Sequence, residues 1–257
     1  MKISVLALAA AVACIGGPTI AFAEDAPAAS PLTFNIGAVS DYRYRGISQT
    51  KMKPALQGGA DYADGPFYVG TWLSTIKWVK DSGARHGGDA PLEWDLYGGA
   101  KGDLIKDTLT YDVGVLAYVY LGQKFHDIGL SNPDTGEVYG ALTYSVFTAK
   151  VSVSATPLFG VPDSKGSQYY DLSANFDVGS GFTLTPHVGH QEIEGSYAKS
   201  VDASYTDYSL TLGKDFGKGL SASLAVLGTD ANKTWYSTST GRFTGRTGVV
   251  AGVKYSF

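Results

Sequence analysis

Apolar and polar residues alternate with a period of two along most of this chain. From 170 to 178 every even position is apolar, while every odd position is Asp, Ser or Asn. From 251 to 257 the odd positions are apolar and the even positions are Gly, Lys or Ser. Because successive side chains of a β-strand point to opposite faces, this pattern predicts strands with one apolar and one polar face.

Composition favours strands over helices. The 257 residues include 33 Gly and 17 Tyr but only 2 Met. Glycine recurs inside almost every alternating segment, where it would destabilise a helix by about 1 kcal/mol relative to alanine. Tyrosine, threonine, valine and phenylalanine, which pleated strands prefer, recur in the same segments. The sequence therefore predicts an all-β protein.

The connections between the alternating segments are sorted by length. We place strands at 33–46, 54–63, 67–78, 91–102, 108–121, 137–145, 147–157, 168–178, 181–191, 205–216, 219–229 and 246–257. The even-numbered connections are short, such as 64–66 and 217–218, whereas the odd-numbered ones are long and polar, such as 79–90 and 230–245. This sorting is typical of outer-membrane barrels, whose tight turns and chain termini face the periplasm. We therefore predict a transmembrane antiparallel up-and-down β-barrel of about twelve strands, while ten or fourteen also fit because strand boundaries shift by about two to four residues.

The first residues are typical of a secretory signal peptide. Lys2 supplies a positive start, and an apolar stretch covers Ile3 to Ile15. The sequence Ala-Phe-Ala then predicts cleavage between Ala23 and Glu24. A competing interpretation uses the motif that ends at Cys14 as a lipoprotein acylation site, which would shorten the apolar stretch. Both interpretations direct the chain out of the cytoplasm.

These features divide the chain into three parts. Residues 1–23 would be the cleaved signal peptide, 24–31 a short periplasmic tail, and 32–257 the outer-membrane barrel. Phe257 ends the last strand, and a terminal aromatic residue there resembles the signal by which barrel assembly machinery recognises outer-membrane proteins. The predicted partners are therefore this machinery and outer-membrane lipids. No run of about 18 apolar residues follows the signal peptide, so the sequence offers no transmembrane helix.

Charge and glycine patterns exclude several classes of partner. The formal net charge is −4 and the basic residues form no stripe, so no nucleic-acid partner is predicted. The glycines at 166, 179 and 181 are interpreted as turn residues, because no helix follows them to complete a phosphate-binding loop. We predict no cofactor.

The alternation also predicts which residues face the lumen. Charges on the polar face must meet water or opposite charges there, because burying them unpaired is very costly. The predicted pore-lining residues are Asp41, Arg43, Arg45, Glu93, Asp95, Lys101, Asp112, Lys150, Asp171, Asp177 and Lys254, and His187 shares their face. Barrels also carry aromatic girdles at the membrane borders. The predicted girdle residues are Tyr42, Tyr44, Trp72, Trp78 and Trp94.

One longer motif and several short ones resemble a known family. The segment 40–49, Ser-Asp-Tyr-Arg-Tyr-Arg-Gly-Ile-Ser-Gln, resembles the opening motif of the TorF-type porins, also known as the Gcw_chp family. Shorter matches follow in order at 54–59, 93–99, 111–114, 137–139, 205–208 and 228–230. The resemblance covers essentially the whole chain after the signal peptide. It implies a bacterial outer-membrane barrel of porin type, with no established substrate and no catalytic residues.

Two functional interpretations follow from the predicted lumen. Its charges either line a narrow path for passive diffusion of small hydrophilic solutes or ions, or pair into a plug that leaves a closed, structural barrel. Lumen-facing small residues such as Gly37, Gly99 and Ser152 favour the open path. The mixed signs of the lining charges predict neither anion nor cation selectivity.

Receptor or adhesion function through the long loops is a further interpretation. The residues that favour it are Trp235, Tyr236, Arg242 and Phe243. A lipid-modifying enzyme would need Ser and His within hydrogen-bond reach, yet His187 and His190 are three apart and fall on opposite faces, with Ser209 as the conceivable partner of His190. The alternation also divides the set of His187, His190, Glu192 and Glu194 between the two faces, so no metal site is predicted. We predict that the protein is not an enzyme.

Overall fold

The computed structural model describes residues 30–82, 90–125, 127 and 131–257. The predicted signal peptide and all but the last two residues of the predicted tail lie outside this part, so both stay predictions. The strands are β1 (Leu32–Val39), β2 (Arg43–Tyr44), β3 (Ile47–Ser48), β4 (Ala55–Asp64), β5 (Phe67–Thr75), β6 (Leu92–Ile105), β7 (Leu109–Tyr120), β8 (Thr135–Tyr144), β9 (Phe147–Ser154), β10 (Gln168–Ala174), β11 (Phe176–Gly179), β12 (Phe182–Glu192), β13 (Tyr205–Gly217), β14 (Leu220–Thr229) and β15 (Gly248–Ser256). Two short helices, α1 (Trp78–Ser82) and α2 (Ser196–Ser200), and a 3-10 turn (Leu158–Gly160) lie in the connections.

All of these strands except β2 and β3 form one antiparallel sheet that closes on itself. Strands β4 to β10 pair in chain order, β1 pairs with both β4 and β15, and β10 pairs with β12 to complete the circle. Strands β10 and β11 form one wall strand with a break at Asn175. The wall therefore has twelve strands, which confirms the predicted number. Closure pairs the backbone groups that an open sheet would expose to lipid at its edges.

The alternation of the sequence becomes an apolar outer face and a polar inner face. Large side chains such as Leu56, Val115 and Leu224 point outward and are at least half exposed. Inward positions carry mainly charged, hydroxyl, amide and tyrosine side chains. The faces predicted from the alternation agree with the structure. Such an outer face is suited to contact with lipid acyl chains.

Short turns join the strands at one end of the barrel. Each of the five contains a residue with φ between +53° and +57°: Gly65, Asp107, Ser145, Ser180 and Lys218. Left-handed residues of this kind suit two-residue turns whose twist matches that of the flanking strands. Both ends of the barrel sequence lie at the same end, where the Phe34 amide donates to the Phe257 carbonyl at 2.8 Å. The long loops are gathered at the opposite end, as predicted.

Several strands are shorter than the alternation predicts, and at the ends of two of them the chain turns toward the lumen. We expected the first strand to reach residue 46, but β1 ends at Val39 and the chain leaves the wall. We expected the third to reach 78, but β5 ends at Thr75 and Trp78 begins α1. In both places polar and apolar residues keep alternating beyond the end of the strand. The side chains there contact residues inside the barrel instead of pairing with the wall. No helix in the described part of the chain is long and apolar enough to cross a membrane.

Candidate functional site

The segment after β1 folds into the barrel. Residues Asp41–Thr50, here called the lumenal hairpin, contain β2 and β3, which pair with each other. Arg45 and Gly46 form its turn, with φ of +45° and +79°. A Cβ atom at Gly46 would overlap the side chains of Asp207 and Thr229. Both the backbone conformation and the available space therefore require glycine at the tip.

Asp41 organises the base of the lumenal hairpin. Its Oδ1 accepts hydrogen bonds from the hydroxyls of Ser48 at 2.5 Å and Thr50 at 3.1 Å. Its Oδ2 accepts from Nε of Arg43 at 2.5 Å. The Asp41 and Arg43 side chains are almost fully buried, so this ion pair is shielded from solvent. Asp41 therefore holds the two arms of the hairpin together.

Arg43 ties the hairpin to the loop between β14 and β15. Its Nη1 donates to the carbonyls of Gly46, Thr244 and Arg246 at 2.8, 2.9 and 3.2 Å. The Ser48 amide adds a backbone hydrogen bond to the Thr244 carbonyl at 3.0 Å. A guanidinium that donates to several carbonyls at once is a rigid anchor, because its donors have a fixed planar geometry.

Arg45 reaches across the lumen. Its Nη2 lies 2.9 and 2.8 Å from the two carboxylate oxygens of Glu137 on β8, and Nη1 donates to Oε1 of Gln191 on β12 at 2.5 Å. The guanidinium also stacks over the rings of Tyr44 and of Tyr169 on β10, at 4.7 and 4.2 Å from their centroids. Strands β8, β10 and β12 belong to the side of the barrel that faces β1 across the lumen. The hairpin therefore spans the lumen from wall to wall.

Tyr42 and Tyr44 fill the space beside the hairpin and point into the lumen. Tyr42 is fully buried, donates to Glu93 and packs edge-on against Trp72 at 5.4 Å. The Tyr44 hydroxyl lies 3.0 Å from that of Tyr118 on β7. The prediction that Tyr42 and Tyr44 belong to a lipid-facing girdle is therefore wrong. Both residues have left the wall, so alternation no longer reports whether they face lipid.

The three tryptophans of the predicted girdle have different positions. Trp72 faces inward and is 9% exposed, so its girdle assignment is also wrong. Trp78 lies in α1 and packs edge-on against Tyr120 and Phe159, at 5.0 and 6.2 Å, which places it over the lumen instead of on the outer face. Trp94 points outward near the loop end, where its Nε1 donates to the Thr71 hydroxyl at 2.6 Å. A girdle position for Trp94 stays a prediction.

Glu93 and Asp95 project inward from β6 beneath the hairpin. Glu93 accepts hydrogen bonds from Tyr42 and, at 2.8 Å, from Tyr120. Asp95 is 0% exposed, and neither carboxylate oxygen has a hydrogen-bond partner within the described part of the chain. Its neighbours on the same face are Trp72 on β5 and Tyr118 on β7. The two carboxylates therefore lie together in an aromatic enclosure.

A second polar cluster lies on the wall near Arg45. Asp171 on β10 is 2.8 Å from Nε2 of His187, and Asp207 on β13 is 3.6 Å from Nδ1 of the same ring. The Tyr169 hydroxyl donates to Asp207 at 2.9 Å. Asp207, Glu137 and Gln191 were not among the predicted pore-lining residues. The available signal was the alternation of their own strands, β8, β12 and β13, which places all three on the inner face.

The half of the lumen nearer the short turns holds the remaining predicted residues. Asp112 accepts from Tyr68 at 2.5 Å, and the Lys150 ammonium lies 4.0 Å from the centroid of the Tyr139 ring. Lys101 and Lys254 also face inward and are partly exposed. Asp177 lies at the exposed rim, where its Oδ1 accepts from the Gly179 amide at 2.8 Å. Asp177 therefore caps a turn rather than lining the centre of the lumen.

Several lumenal glycines provide space for tyrosine rings. A Cβ atom at Gly99 would overlap the Tyr68 ring and the Val113 carbonyl, and one at Gly114 would overlap the Tyr139 ring. The rings therefore lie along the wall over the glycines of neighbouring strands. The lumenal glycines widen the barrel less than their small size suggests, because tyrosine occupies the space they leave.

His187 and His190, the two histidines in the described part of the chain, do not form a hydrolase-like site. His190 points outward with Nδ1 3.1 Å from the Thr206 hydroxyl, whereas Ser209 is paired in register with His187 on the inner face. The Ser209 partner considered from the sequence is thus on the other side of the wall. Within the described residues, no three His, Cys, Asp or Glu side chains are grouped to hold a metal ion.

The loop residues considered for adhesion are largely packed together. Trp235 contacts Tyr197 of α2 edge-on at 5.5 Å, and the Tyr236 hydroxyl donates to the Ala203 carbonyl at 2.6 Å. Burial raises the pKa of Tyr236. Phe243 forms a single β-bridge with Ser237, which leaves Arg242 exposed at the tip. These contacts give the loop a defined shape.

Comparisons with known proteins agree with this architecture. A NanC porin structure aligns with a TM-score of 0.53 and 12% identity over 88% of this chain and 98% of that chain. A structure from a study of in-meso crystallization of membrane proteins aligns with a TM-score of 0.50 and 6% identity over 88% and 83%. At these identities the similarity concerns the fold.

A third structure, the COG4313 outer membrane channel from Pseudomonas putida F1, gives a TM-score of 0.47 at 11% identity over 91% and 99% of the two chains. No curated protein matches the sequence. A family model described as "Bacterial protein of unknown function (Gcw_chp)" matches residues 24–257. The match covers the barrel and the motif that builds the lumenal hairpin, so the chain belongs to the Gcw_chp family.

Proposed function

We propose that this protein is a narrow porin-like channel in the bacterial outer membrane, which it reaches through a cleaved signal peptide. The observation that carries the proposal is the division of one closed wall into an apolar outer face and a charged inner face. Burying a charged inner face in a dry core would be very costly. A water-containing lumen is the simplest environment for it, and small hydrophilic solutes or ions are its natural cargo.

The width of the barrel is compatible with a restricted path. Side chains just fill a barrel of about eight strands, whereas barrels of about sixteen or more enclose open channels. A twelve-stranded wall lies between these limits. Tyr68 and Tyr139 lie along the wall over Gly99 and Gly114, which supports a lumen that is lined rather than filled in its short-turn half.

The lumenal hairpin sets the narrowest point in this proposal. Its buried ion pairs, Arg43 with Asp41 and Arg45 with Glu137, lie where a solute entering from the loop end must pass. A solute therefore passes beside the hairpin or requires it to move. Passage needs no cofactor, because the solute moves down its own gradient.

A closed barrel is the second candidate, and the bridge made by Arg45 favours it. A hairpin that contacts β8, β10 and β12 at once could seal the lumen permanently. In that case the barrel would act as a structural element or through its loops. The two candidates differ in conductance and in the effect of releasing the hairpin.

Single-channel recording in planar bilayers tests both candidates. We expect discrete current steps from the folded protein, and larger or longer steps from Arg45→Ala. Lys214→Ala is the matched control, because Lys214 points outward over Phe182 at the short-turn end and should leave the steps unchanged. Current from Arg45→Ala alone would favour the closed barrel. Silence from both folded proteins would overturn the channel proposal.

A further inference from the structure

We propose that Asp95, together with Glu93, binds a hard cation beneath the lumenal hairpin. Asp95 is fully buried, and both of its carboxylate oxygens lack a hydrogen-bond partner among the described residues. A carboxylate offers about four acceptor positions and is very costly to bury with none of them occupied. Such a group in a folded protein needs a physical explanation, and a bound ion is one of those that buried polar groups are known to have.

The charges around the hairpin leave an excess of carboxylates. Arg43 pairs with Asp41, and Arg45 pairs with Glu137, so both hairpin guanidiniums already have an acidic partner. Among the residues that the structure describes, Glu93 accepts only from the phenols of two tyrosines, which are neutral donors. Lys101 stands six residues beyond Asp95 along β6, about 20 Å away at the rise of a strand. Within the described part of the chain, Glu93 and Asp95 are therefore two neighbouring carboxyl groups with no cationic side chain paired to them.

The enclosure around Asp95 limits the alternatives. Trp72 and Tyr118 flank it on the neighbouring strands, and Tyr42 and Tyr44 of the hairpin contact those two rings. Water could occupy the free acceptor positions but would leave an ionised Asp95 uncompensated in this aromatic environment, whereas a protonated Asp95 would be neutral but would have no acceptor for its O–H among the described residues. A cation satisfies both requirements at once.

The donor set selects the class of cation. The oxygens of Asp95 and Glu93 are hard ligands that suit Ca²⁺, Mg²⁺ or alkali ions, and no cysteine or histidine of the described chain joins them. Two carboxylates give fewer protein ligands than a dedicated calcium loop, so the ion would keep several waters. Weakly liganded sites of this kind bind Ca²⁺ with dissociation constants of about 10⁻⁴ to 10⁻³ M.

The site has a consequence for transport that rests on the proposed function. A cation held at the narrowest section would make the path selective for cations, as charged rings do in other pores. The half of the lumen nearer the long loops would then select ions by charge, whereas the half nearer the short turns, which carries charges of both signs, would not. The binding site itself does not depend on whether the barrel conducts.

Terbium luminescence of the detergent-folded barrel tests the binding site. Tb³⁺ is a hard cation of similar size to Ca²⁺, and the indole of Trp72 beside Asp95 can sensitise its emission. We expect saturable emission that excess Ca²⁺ removes, and that falls about tenfold in Asp95→Asn. Asp112→Asn is the matched control, because Asp112 is a lumenal carboxylate that already accepts from Tyr68. Equal emission from wild type and Asp95→Asn, or an equal loss in both variants, would overturn the proposal.

A measurement on the wild-type protein covers the case in which Asp95→Asn does not fold. The melting temperature should rise with CaCl₂ but not with choline chloride at the same ionic strength, since a specific ion stabilises the state that binds it. No difference in melting temperature between the two salts would overturn the site.

If the wild type conducts, Asp95→Asn should also lower the ratio of K⁺ to Cl⁻ permeability. An unchanged ratio would contradict the proposed cation selectivity but not the binding site. A silent barrel that binds Tb³⁺ would contradict the channel and leave the site intact.

Discussion

Oε2 of Glu137 lies 2.8 Å from Nη2 of Arg45, although β8 and the end of β1 stand on opposite sides of the barrel. This contact joins residues 92 positions apart in the sequence. The pair is buried, and Arg45 is held further by Gln191 and by the Tyr169 ring. It therefore holds the lumenal hairpin across the lumen, and its removal is the most direct way to learn what the hairpin does.

Arg45→Ala should destabilise the folded barrel and free the hairpin. Removing one partner of a buried ion pair leaves an uncompensated charge, here on Glu137, and costs about 3–5 kcal/mol. Urea unfolding of the barrel in liposomes measures this cost. Lys199→Ala is the control, because the Lys199–Glu194 pair is exposed and such pairs contribute about 0–1 kcal/mol. An equal decrease in the free energy of unfolding for Arg45→Ala and Lys199→Ala would contradict the bridging role of Arg45.

Gly46→Ala should disturb the hairpin more than Gly65→Ala disturbs its turn. Both glycines have positive φ, at +79° and +55°, so both substitutions add backbone strain of about 1–3 kcal/mol. Only at Gly46 would the new Cβ also overlap Asp207 and Thr229, whereas nothing lies within 4 Å at Gly65. Protease digestion followed by mass spectrometry should detect cleavage within 41–50 in Gly46→Ala alone. A hairpin equally resistant in both variants would show that its tip tolerates a side chain.

Gly99→Ala should displace Tyr68 and weaken the wall. The new Cβ would overlap the Tyr68 ring and the backbone carbonyl of Val113, and overpacking of this kind costs about 1–3 kcal/mol. Gly136→Ala is the matched control, since its nearest neighbour would be Cγ2 of Thr156 at an ordinary 3.7 Å. The free energy of unfolding measured in urea should therefore be lower for Gly99→Ala than for Gly136→Ala. Similar stabilities would contradict the need for glycine beneath the ring.

Leu224→Arg and Ser223→Arg test the faces of the wall with adjacent residues. Leu224 points outward and is 50% exposed, whereas Ser223 points into the lumen. An arginine facing the middle of the bilayer costs about 2–4 kcal/mol, while a lumenal arginine can be hydrated or paired. Folding yield and urea stability in liposomes should fall for Leu224→Arg alone. The reverse order would mean that the faces are exchanged.

Most of the wall could be predicted from the sequence, because alternation depends only on the local geometry of a strand. The period of two placed Glu93, Asp95 and Lys150 on the inner face, and Val115 and Leu224 fall on the outer face by the same pattern. The sorting of short and long connections predicted twelve strands and gathered the termini at one end. These properties need no knowledge of what each strand packs against.

The sequence could not reveal that residues 41–50 enter the barrel. Their alternation continues that of β1, so Tyr42 and Tyr44 resembled outward girdle residues. The period of two reports the faces of an extended segment but not whether the segment stays in the wall. Trp72 was misplaced for a different reason, because it stays in the wall and the alternation of β5 already places it on the inner face.

The sequence by itself determined the class of fold, the strand order and the two faces of the wall, since all three follow from local periodicity and loop length. Only the tertiary structure decided that Arg45 meets Glu137, that Tyr42 donates to Glu93, and that Asp95 is enclosed with no hydrogen-bond partner among the described residues. These relationships arise when the sheet closes and brings distant strands to face one another across the lumen. No local pattern encodes a contact that exists only after closure.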